Sequence, residues 1–138
     1  MILDLHATPE EVMRAVEALQ ELGATWQLAP TDLFGLALAL EECGSNIVKH
    51  ALHGDARESF RVSIELADNS VTIELRDHGP AFDPTLAPVV PFQADDDQAP
   101  GGWGIQLVRR HIDEIHHTRQ GGENILRLTK HLHRNSLA

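Results

Sequence analysis

The chain has only one cysteine, Cys43, among its 138 residues. A single cysteine cannot form a disulfide within the chain, and it cannot supply a zinc site that needs several cysteines. Cys43 lies in an apolar-rich stretch of a predicted helix. We therefore expect a buried, unreactive thiol rather than a nucleophile.

Basic residues are also scarce, since 11 Lys and Arg stand against 21 Asp and Glu and the formal net charge is -10. Nucleic-acid binding through phosphates needs clustered Lys and Arg, so direct nucleic-acid binding is disfavoured. No stretch approaches the ~20 apolar residues of a membrane span, and the first residues lack the pattern of a secretory signal. We expect a cytoplasmic protein that does not enter a membrane.

Two common nucleotide-binding motifs are missing as well. The chain contains no G-x-x-x-x-G-K-[ST] sequence, which excludes the P-loop class as a sequence match. It also lacks G-x-G-x-x-G, the usual fingerprint of a dinucleotide-binding fold. Any nucleotide site in this chain must therefore belong to another class.

The residues that are present fit one globular domain. Hydrophobic residues make up 42% and charged residues 23%, which are ordinary values, and the length suffices for one core. Periodicity predicts a strand in residues 1–6, a helix ended by Gly23, and a helix from Pro30 to about Leu52. It then predicts a hairpin in residues 60–75, a helix with Ile115 on its apolar face, and a strand in 125–130.

This order of elements predicts an α+β fold, a two-layer sandwich with helices on one face of a mostly antiparallel sheet. Residues 1–138 would form a single domain. Five of the seven prolines lie in residues 78–101, where little periodicity remains. We expect a mobile lid at about residues 80–101 and a frayed tail at about residues 131–138.

The second helix carries a group of polar residues on one side. On a wheel of about 100° per residue they share an arc of about 100°. Its members are Glu42, Asn46, Lys49, His50 and His53. A solvated face is the ordinary explanation, but such faces favour Lys and Glu over Asn and paired His. Gly44 and Ser45 have poor helix propensity and indicate close packing there, so we interpret the polar face as the floor of a nucleotide site.

Two glycine-containing turns follow. Asp77 ends the second hairpin strand, where its carboxylate can accept a hydrogen bond from an amino group. Gly79 lets a ligand or backbone approach where a Cβ would clash, although Asp-x-Gly is also an ordinary turn sequence. Further on, glycines at 101, 102 and 104 offer backbone N–H groups before a helix, an arrangement that can bind phosphate.

In their order and spacing, these three segments resemble the N, G1 and G2 boxes of the GHKL ATPases, which share the histidine-kinase-like ATPase fold. The likeness is closest to the small anti-sigma factor serine/threonine kinases of the RsbW and SpoIIAB type. It rests on "LALEECGSNIVKHA", "DHGPAFDP" and "GGWGIQLVRRHIDEI" and covers nearly the whole chain.

The resemblance implies ATP and Mg²⁺ as cofactors. Asn46 would ligate Mg²⁺ through its side-chain oxygen, and Glu42 would orient or deprotonate the attacking hydroxyl. Asp77 would receive the adenine amino group, with Gly79 admitting the ring. The phosphates would be met by the remaining members of the set: Lys49, His50, Gly101, Gly102 and Gly104.

The same resemblance implies a serine/threonine protein kinase that phosphorylates an anti-anti-sigma protein of the STAS fold and sequesters a sigma factor, often as a homodimer. Arg14 resembles an arginine of this branch that contacts partners. Ala81 stands where a second glycine is frequent, and Asn124 lies near the place of a nucleotide-contacting threonine. Two alternatives stay open: a non-catalytic ATP-binding partner switch, and a histidine-rich metal protein suggested by nine His.

Overall fold

The computed structural model describes residues 1–86 and 102–133, with residues 102–104 described by their backbone alone. Its strands are β1 (Ile2–His6), β2 (Ser59–Ala67), β3 (Ser70–Asp77), β4 (Glu114–Gln120) and β5 (Glu123–His131). They form one antiparallel sheet in the order β1-β2-β3-β5-β4. Helices α1 (Pro9–Thr25), α2 (Pro30–Asn46) and α3 (Gly102–His111) cover one face. The predicted two-layer α+β fold is confirmed.

The core lies between the sheet and the helices. In β3, Val71, Ile73 and Leu75 are fully buried, while the residues between them are half-buried on the opposite face. Leu75 pairs with Leu126 and Ile73 with Leu128 of β5, so the apolar rows of adjacent strands are aligned. Each such side chain contributes about 1.5–3 kcal/mol to folding, which fixes the strand register.

Helix α1 begins as predicted and ends later than predicted. Thr8 is its N-cap and accepts a hydrogen bond from the Glu11 N–H at 3.2 Å, and Pro9 occupies the first position. The sequence predicts that Gly23 ends the helix, but this glycine lies buried inside it. A Cβ on Gly23 would come within 2.6 Å of Leu33 Cδ1, so this glycine serves the packing of α1 on α2.

Helix α2 ends at Asn46, but the chain continues nearly to the predicted end near Leu52 in a helix wider than an α-helix. Residues Ile47–Ala51 form a π-helical turn, in which the Leu52 N–H donates to the Ile47 carbonyl at 2.8 Å. The close packing predicted around Gly44 is helix packing, because a Cβ there would lie 3.1 Å from Val12 of α1.

Cys43 is buried on α2, as predicted, with 1% of its surface exposed. Burial, with a smaller contribution from the charge of Glu42, raises the pKa of the Cys43 thiol to about 12. The thiol is therefore protonated at neutral pH and unreactive.

Strand β4 was missed by the sequence reasoning. The third helix was predicted to include Ile115, but α3 ends at His111, and Ile115 pairs with Leu128 across β4 and β5. Strand β4 lies at the edge of the sheet, and its side chains are mostly exposed. It therefore lacks the apolar alternation by which the other strands are recognised.

The first three residues of the predicted tail, 131–133, are held by the fold. His131 belongs to β5, Leu132 is buried, and the His133 N–H donates to Asp32 Oδ2 at 3.0 Å. Lys130 Nζ lies 3.8 Å from Asp32 Oδ1, which ties the end of β5 to the first turn of α2. Residues 134–138, and residues 87–101 of the predicted lid, lie outside the described residues.

The outer edge of β1 is covered by α1. Reciprocal bonds between Met1 and Ile64 at 2.9 and 3.0 Å set the register, so the backbone groups of Asp4 and His6 point away from β2. The Arg14 guanidinium donates to the Asp4 carbonyl at 3.1 Å, and Glu11 accepts from the His6 N–H at 3.3 Å. These side chains occupy edge groups that are otherwise open to another strand.

Candidate functional site

The turn after β3 packs directly on the end of helix α2. A Cβ on Gly79 would lie 2.6 Å from the carbonyl oxygen of Ala51 and 3.0 Å from Asp77 Oδ1. Real Cβ atoms do not approach a backbone oxygen so closely, so only glycine allows this contact. The predicted close approach at Gly79 is thus a contact between the turn after β3 and the backbone of Ala51. That Gly79 also admits an adenine ring stays a prediction.

Glu42 and Asn46 lie one turn apart on α2, and both are half-buried. Neither side chain makes a hydrogen bond or ion pair with another residue in the described ranges. Burial raises the pKa of Glu42, the nearby charge of Glu41 adds to the rise, and Lys49 partly offsets it. Because both side chains are only half-buried and have no protein partner in these ranges, their polar atoms are open to water or to a ligand.

Replacing Glu42 with glutamine is expected to raise the melting temperature near neutral pH and to leave it almost unchanged near pH 4.5, the ordinary value for Glu. A raised pKa means that folding disfavours the ionised form, so stability present below the ordinary pKa is lost as the pH rises through the raised pKa. Thermal unfolding followed by circular dichroism at both pH values measures the difference. Glu17→Gln on the exposed side of α1 is the control, and a shift of equal size at both pH values contradicts the prediction.

The rest of the polar arc is altered by the π-helical turn. Lys49 and His50 are exposed within this turn, and the His50 ring stacks on Phe82 with centroids 5.9 Å apart. His53 lies beyond the turn with a backbone φ of 53°, so its predicted place on the same helix face is wrong. The helical wheel of 100° per residue places side chains correctly only up to Asn46, because the residues that follow form a π-helix with more residues per turn.

Asp77 lies at the end of β3, as predicted, and faces the helices. Only 4% of its surface is exposed. Its Oδ1 accepts hydrogen bonds from the Gly79 N–H at 2.9 Å and from Asn124 Nδ2 at 3.0 Å. Within residues 1–86 and 102–133, no donor reaches Oδ2. One oxygen of this carboxylate therefore organises the turn, and the other has no donor among the described residues.

Residues of β4 and β5 hold this turn from the sheet side; the sequence analysis noted Asn124 without its hydrogen bonds and missed Arg119 and His117. Asn124 of β5 is buried and also donates to the Pro80 carbonyl at 2.9 Å. Arg119 of β4 donates to the Gly79 carbonyl and to Asn124 Oδ1, both at 3.0 Å. His117 Nδ1 of β4 lies 3.5 Å from an Asp83 carboxylate oxygen. Because β4 was not predicted, no sequence signal placed its side chains here.

The remaining predicted residues are placed as follows. Gly102 begins α3 and Gly104 lies in its first turn, so these glycines belong to the helix instead of a preceding loop, and Gly101 lies outside the described residues. Arg14 is exposed on α1, where its Nε lies 2.7 Å from Glu11 Oε2. The structure does not bring Arg14 into contact with the residues around Asp77.

The described part of the chain gives no support to a histidine-rich metal protein, since it contains no group of three or more His, Cys, Asp or Glu that could hold a metal ion. None of the helices in the described ranges is long and apolar enough to cross a membrane.

Comparison with known proteins decides the family. The sequence pattern of the family described as histidine kinase-like ATPase domain matches residues 5–130. The chain belongs to this family. Its members share an ATPase domain, so the match supports ATP binding by this histidine kinase-like ATPase domain.

Two kinases are among the relatives of this ATPase domain. It is 29% identical over 130 residues to the serine/threonine-protein kinase BtrW of Bordetella bronchiseptica. The matched residues cover 94% of this chain and 92% of BtrW. It is 24% identical over 135 residues to the serine-protein kinase RsbW of Bacillus velezensis. The matched residues cover 94% of this chain and 84% of RsbW.

A solved structure supports the fold. The ATPase domain superposes with a TM-score of 0.68 on the RsbU and RsbW domains of Rv1364c from Mycobacterium tuberculosis, at 20% sequence identity. The match covers 96% of this chain and 32% of that chain, so this domain spans about a third of the solved protein.

Proposed function

We propose that this chain is a serine/threonine protein kinase that transfers phosphate from ATP to a STAS-type anti-anti-sigma protein and binds a sigma factor in competition with it, as a homodimer. The observation that carries the proposal is the pair Glu42 and Asn46, whose half-buried side chains lack partners among the described residues of an ATPase domain. The names of two relatives, matched over most of their length, support protein phosphorylation as the reaction.

The site residues suit Mg²⁺ and ATP chemically. The amide oxygen of Asn46 is an oxygen ligand of the kind that Mg²⁺ prefers, and one protein ligand suffices beside phosphate oxygens and water. Bound Mg²⁺ supplies neutralisation of the charge that develops on the phosphates. Lys49 is exposed and carries a positive charge toward the same end of α2. His50 and the glycines at 101, 102 and 104 complete the proposed phosphate contacts.

Glu42 is proposed as the residue that orients the attacking hydroxyl and accepts its proton. It precedes Asn46 by one helical turn, so the proton acceptor and the metal ligand share one face. Burial raises the pKa of Glu42, and a carboxylate of raised pKa is a stronger base at neutral pH. Positioning and charge neutralisation account for most of the catalysis in such a site.

Arg14 is proposed as a partner contact. Its side chain is 51% exposed, and it pairs with Glu11 of its own helix and with the carbonyl of Asp4. A guanidinium with unused donors on an exposed helix is suited to an acidic group or carbonyl of a partner.

Asn46→Ala is expected to weaken ATP binding about tenfold in the presence of Mg²⁺ and to change it little in the presence of EDTA, because the substitution removes a metal ligand and leaves the base contacts intact. Isothermal titration calorimetry of the purified chain measures both affinities. Asn69→Ala, at the turn between β2 and β3, serves as the control, because among the described residues this amide donates to the Leu132 carbonyl alone.

Equal losses of ATP affinity with and without Mg²⁺ in Asn46→Ala would contradict the role of Asn46.

Transfer of radiolabel from ATP to purified STAS-domain proteins tests the kinase activity itself. Tight ATP binding without transfer to any STAS protein indicates the non-catalytic partner switch instead.

A further inference from the structure

The side chain of Asn124 is the centre of a buried hydrogen-bond network at the end of β5. Only 3% of its surface is exposed. Its Nδ2 donates to Asp77 Oδ1 at 3.0 Å and to the Pro80 carbonyl at 2.9 Å. Its Oδ1 accepts from Arg119 Nη1 at 3.0 Å and from the Phe82 N–H at 3.3 Å.

These partners fix which end of the amide faces which group. The reverse orientation would place Oδ1 against two acceptors, the Asp77 carboxylate and the Pro80 carbonyl, and would place Nδ2 against the Arg119 guanidinium. Buried groups of like polarity repel strongly, so only the observed orientation is stable. Asn124 therefore acts as a donor toward Asp77.

Arg119 holds the same turn from the neighbouring strand. Its Nη1 donates both to Asn124 Oδ1 and to the Gly79 carbonyl, so one guanidinium nitrogen joins β4, β5 and the turn after β3. His117 Nε2 of β4 lies 3.4 Å from Asn124 Oδ1, and its other ring nitrogen faces Asp83. Apart from the Asp77 carboxylate, no other charged group in the described ranges contacts the Asn124 amide.

The result for Asp77 is that one oxygen is filled. Oδ1 receives two protein donors, from Gly79 and Asn124, whereas Oδ2 receives none from the described residues. A carboxylate with both oxygens open can accept two parallel hydrogen bonds. Asp77 can therefore offer a nucleobase only one acceptor oxygen, Oδ2.

We propose that Asn124 and Arg119 are positioning residues that make the Asp77 site select adenine over guanine. Adenine presents one exocyclic amino donor beside a ring acceptor. Guanine presents two adjacent donors, N1–H and the 2-amino group, which need both oxygens of a carboxylate. With Oδ1 filled, guanine buries a donor without a partner, and a site of this kind rejects such a ligand. This inference rests on the proposed ATP site around Asp77.

Asn124→Asp tests the inference, because it changes one N–H₂ group into an oxygen of nearly the same size. The introduced carboxylate keeps an acceptor for Arg119 but repels Asp77 and the Pro80 carbonyl. We expect ATP affinity, measured by calorimetry with Mg²⁺, to fall about tenfold or more near neutral pH. Two adjacent carboxyls share a proton readily, so affinity relative to wild type at the same pH should recover between about pH 7.5 and about pH 5.5.

Arg119→Met and Asn124→Ala provide the second measurement, the ratio of ATP to GTP affinity. We expect a wild-type preference for ATP of about tenfold or more, and a narrower preference in both variants as the carboxylate gains freedom to turn. Asn69→Asp, which adds the same charge at the turn between β2 and β3, should behave as wild type in both assays. Circular dichroism shows whether each variant is folded.

The outcomes separate this inference from the function on which it rests. If the wild-type chain binds neither ATP nor GTP, the proposed nucleotide site itself is wrong. If wild type binds ATP and Asn124→Asp binds it equally well near neutral pH, the positioning role is wrong. Equal losses of ATP and GTP affinity in Arg119→Met and Asn124→Ala, without recovery of Asn124→Asp at low pH, indicate a structural role only and also overturn the inference.

Discussion

Glu42→Gln is expected to reduce phosphate transfer from ATP to a STAS acceptor by about 10²–10⁴-fold, the usual contribution of a general base. Glutamine keeps the size of the side chain but cannot accept the proton of the attacking hydroxyl. ATP affinity should stay close to that of wild type, because Asn46 and Asp77 are untouched. Single-turnover transfer of radiolabel, measured beside calorimetric ATP binding, separates the two effects.

The pH dependence of the wild-type rate gives an independent check on Glu42. Catalysis requires the ionised carboxylate, so the rate falls as the pH decreases through the pKa of Glu42. Burial raises that pKa above the ordinary value of 4.5, so the acidic limb should lie above pH 4.5. Glu17→Gln, which removes an exposed carboxylate on α1 that does not act on the pKa of Glu42, is the control. Transfer by Glu42→Gln at a rate similar to that of wild type would assign the base to another group.

Gly79→Ala is expected to destabilise the fold by about 1–3 kcal/mol and to abolish measurable ATP binding. The added Cβ would lie 2.6 Å from the Ala51 carbonyl oxygen, and neither backbone segment can move without shifting Asp77 or the end of α2. Urea denaturation measures the free energy of unfolding, and calorimetry measures ATP affinity.

Gly121→Ala distinguishes loss of the site from loss of stability. Gly121 has a φ of +59° in the turn between β4 and β5, with nothing within 4 Å of an added Cβ. Alanine there strains the backbone by about 1–2 kcal/mol and leaves the site untouched. Gly121→Ala should therefore lose stability but keep ATP binding, and unchanged ATP affinity in Gly79→Ala would show that the contact with Ala51 is not required.

Those parts of the fold that bury an alternating or helical apolar row could be predicted from the sequence. Strands β2 and β3 and the apolar side of α2 carry their pattern locally, within a few residues. Strand β4 could not be recognised, because an edge strand with Ile115 as its only large apolar residue has no pattern to read. Gly23 misled the prediction because its role is contact with Leu33 of another helix.

The same distinction between local and distant contacts applies to the site. Glu42 and Asn46 are joined by helical spacing, and Asp77 and Gly79 by a turn of adjacent residues, so the sequence alone grouped each pair. Asn124 reaches Asp77 across 47 residues, and its role depends on the pairing of β3 with β5. Sequence spacing carries no information about such a contact until the strand order is known.

The cover over β1 has a consequence for how this molecule meets other chains. Glu11 and Arg14, which form a salt bridge, occupy the His6 N–H and the Asp4 carbonyl and so keep these edge groups from pairing with a strand of another chain. A partner that bound the Arg14 guanidinium, as proposed above, would remove its hydrogen bond to the Asp4 carbonyl and uncover that group. Binding of a partner at Arg14, as proposed, would therefore also expose the edge of the sheet at β1.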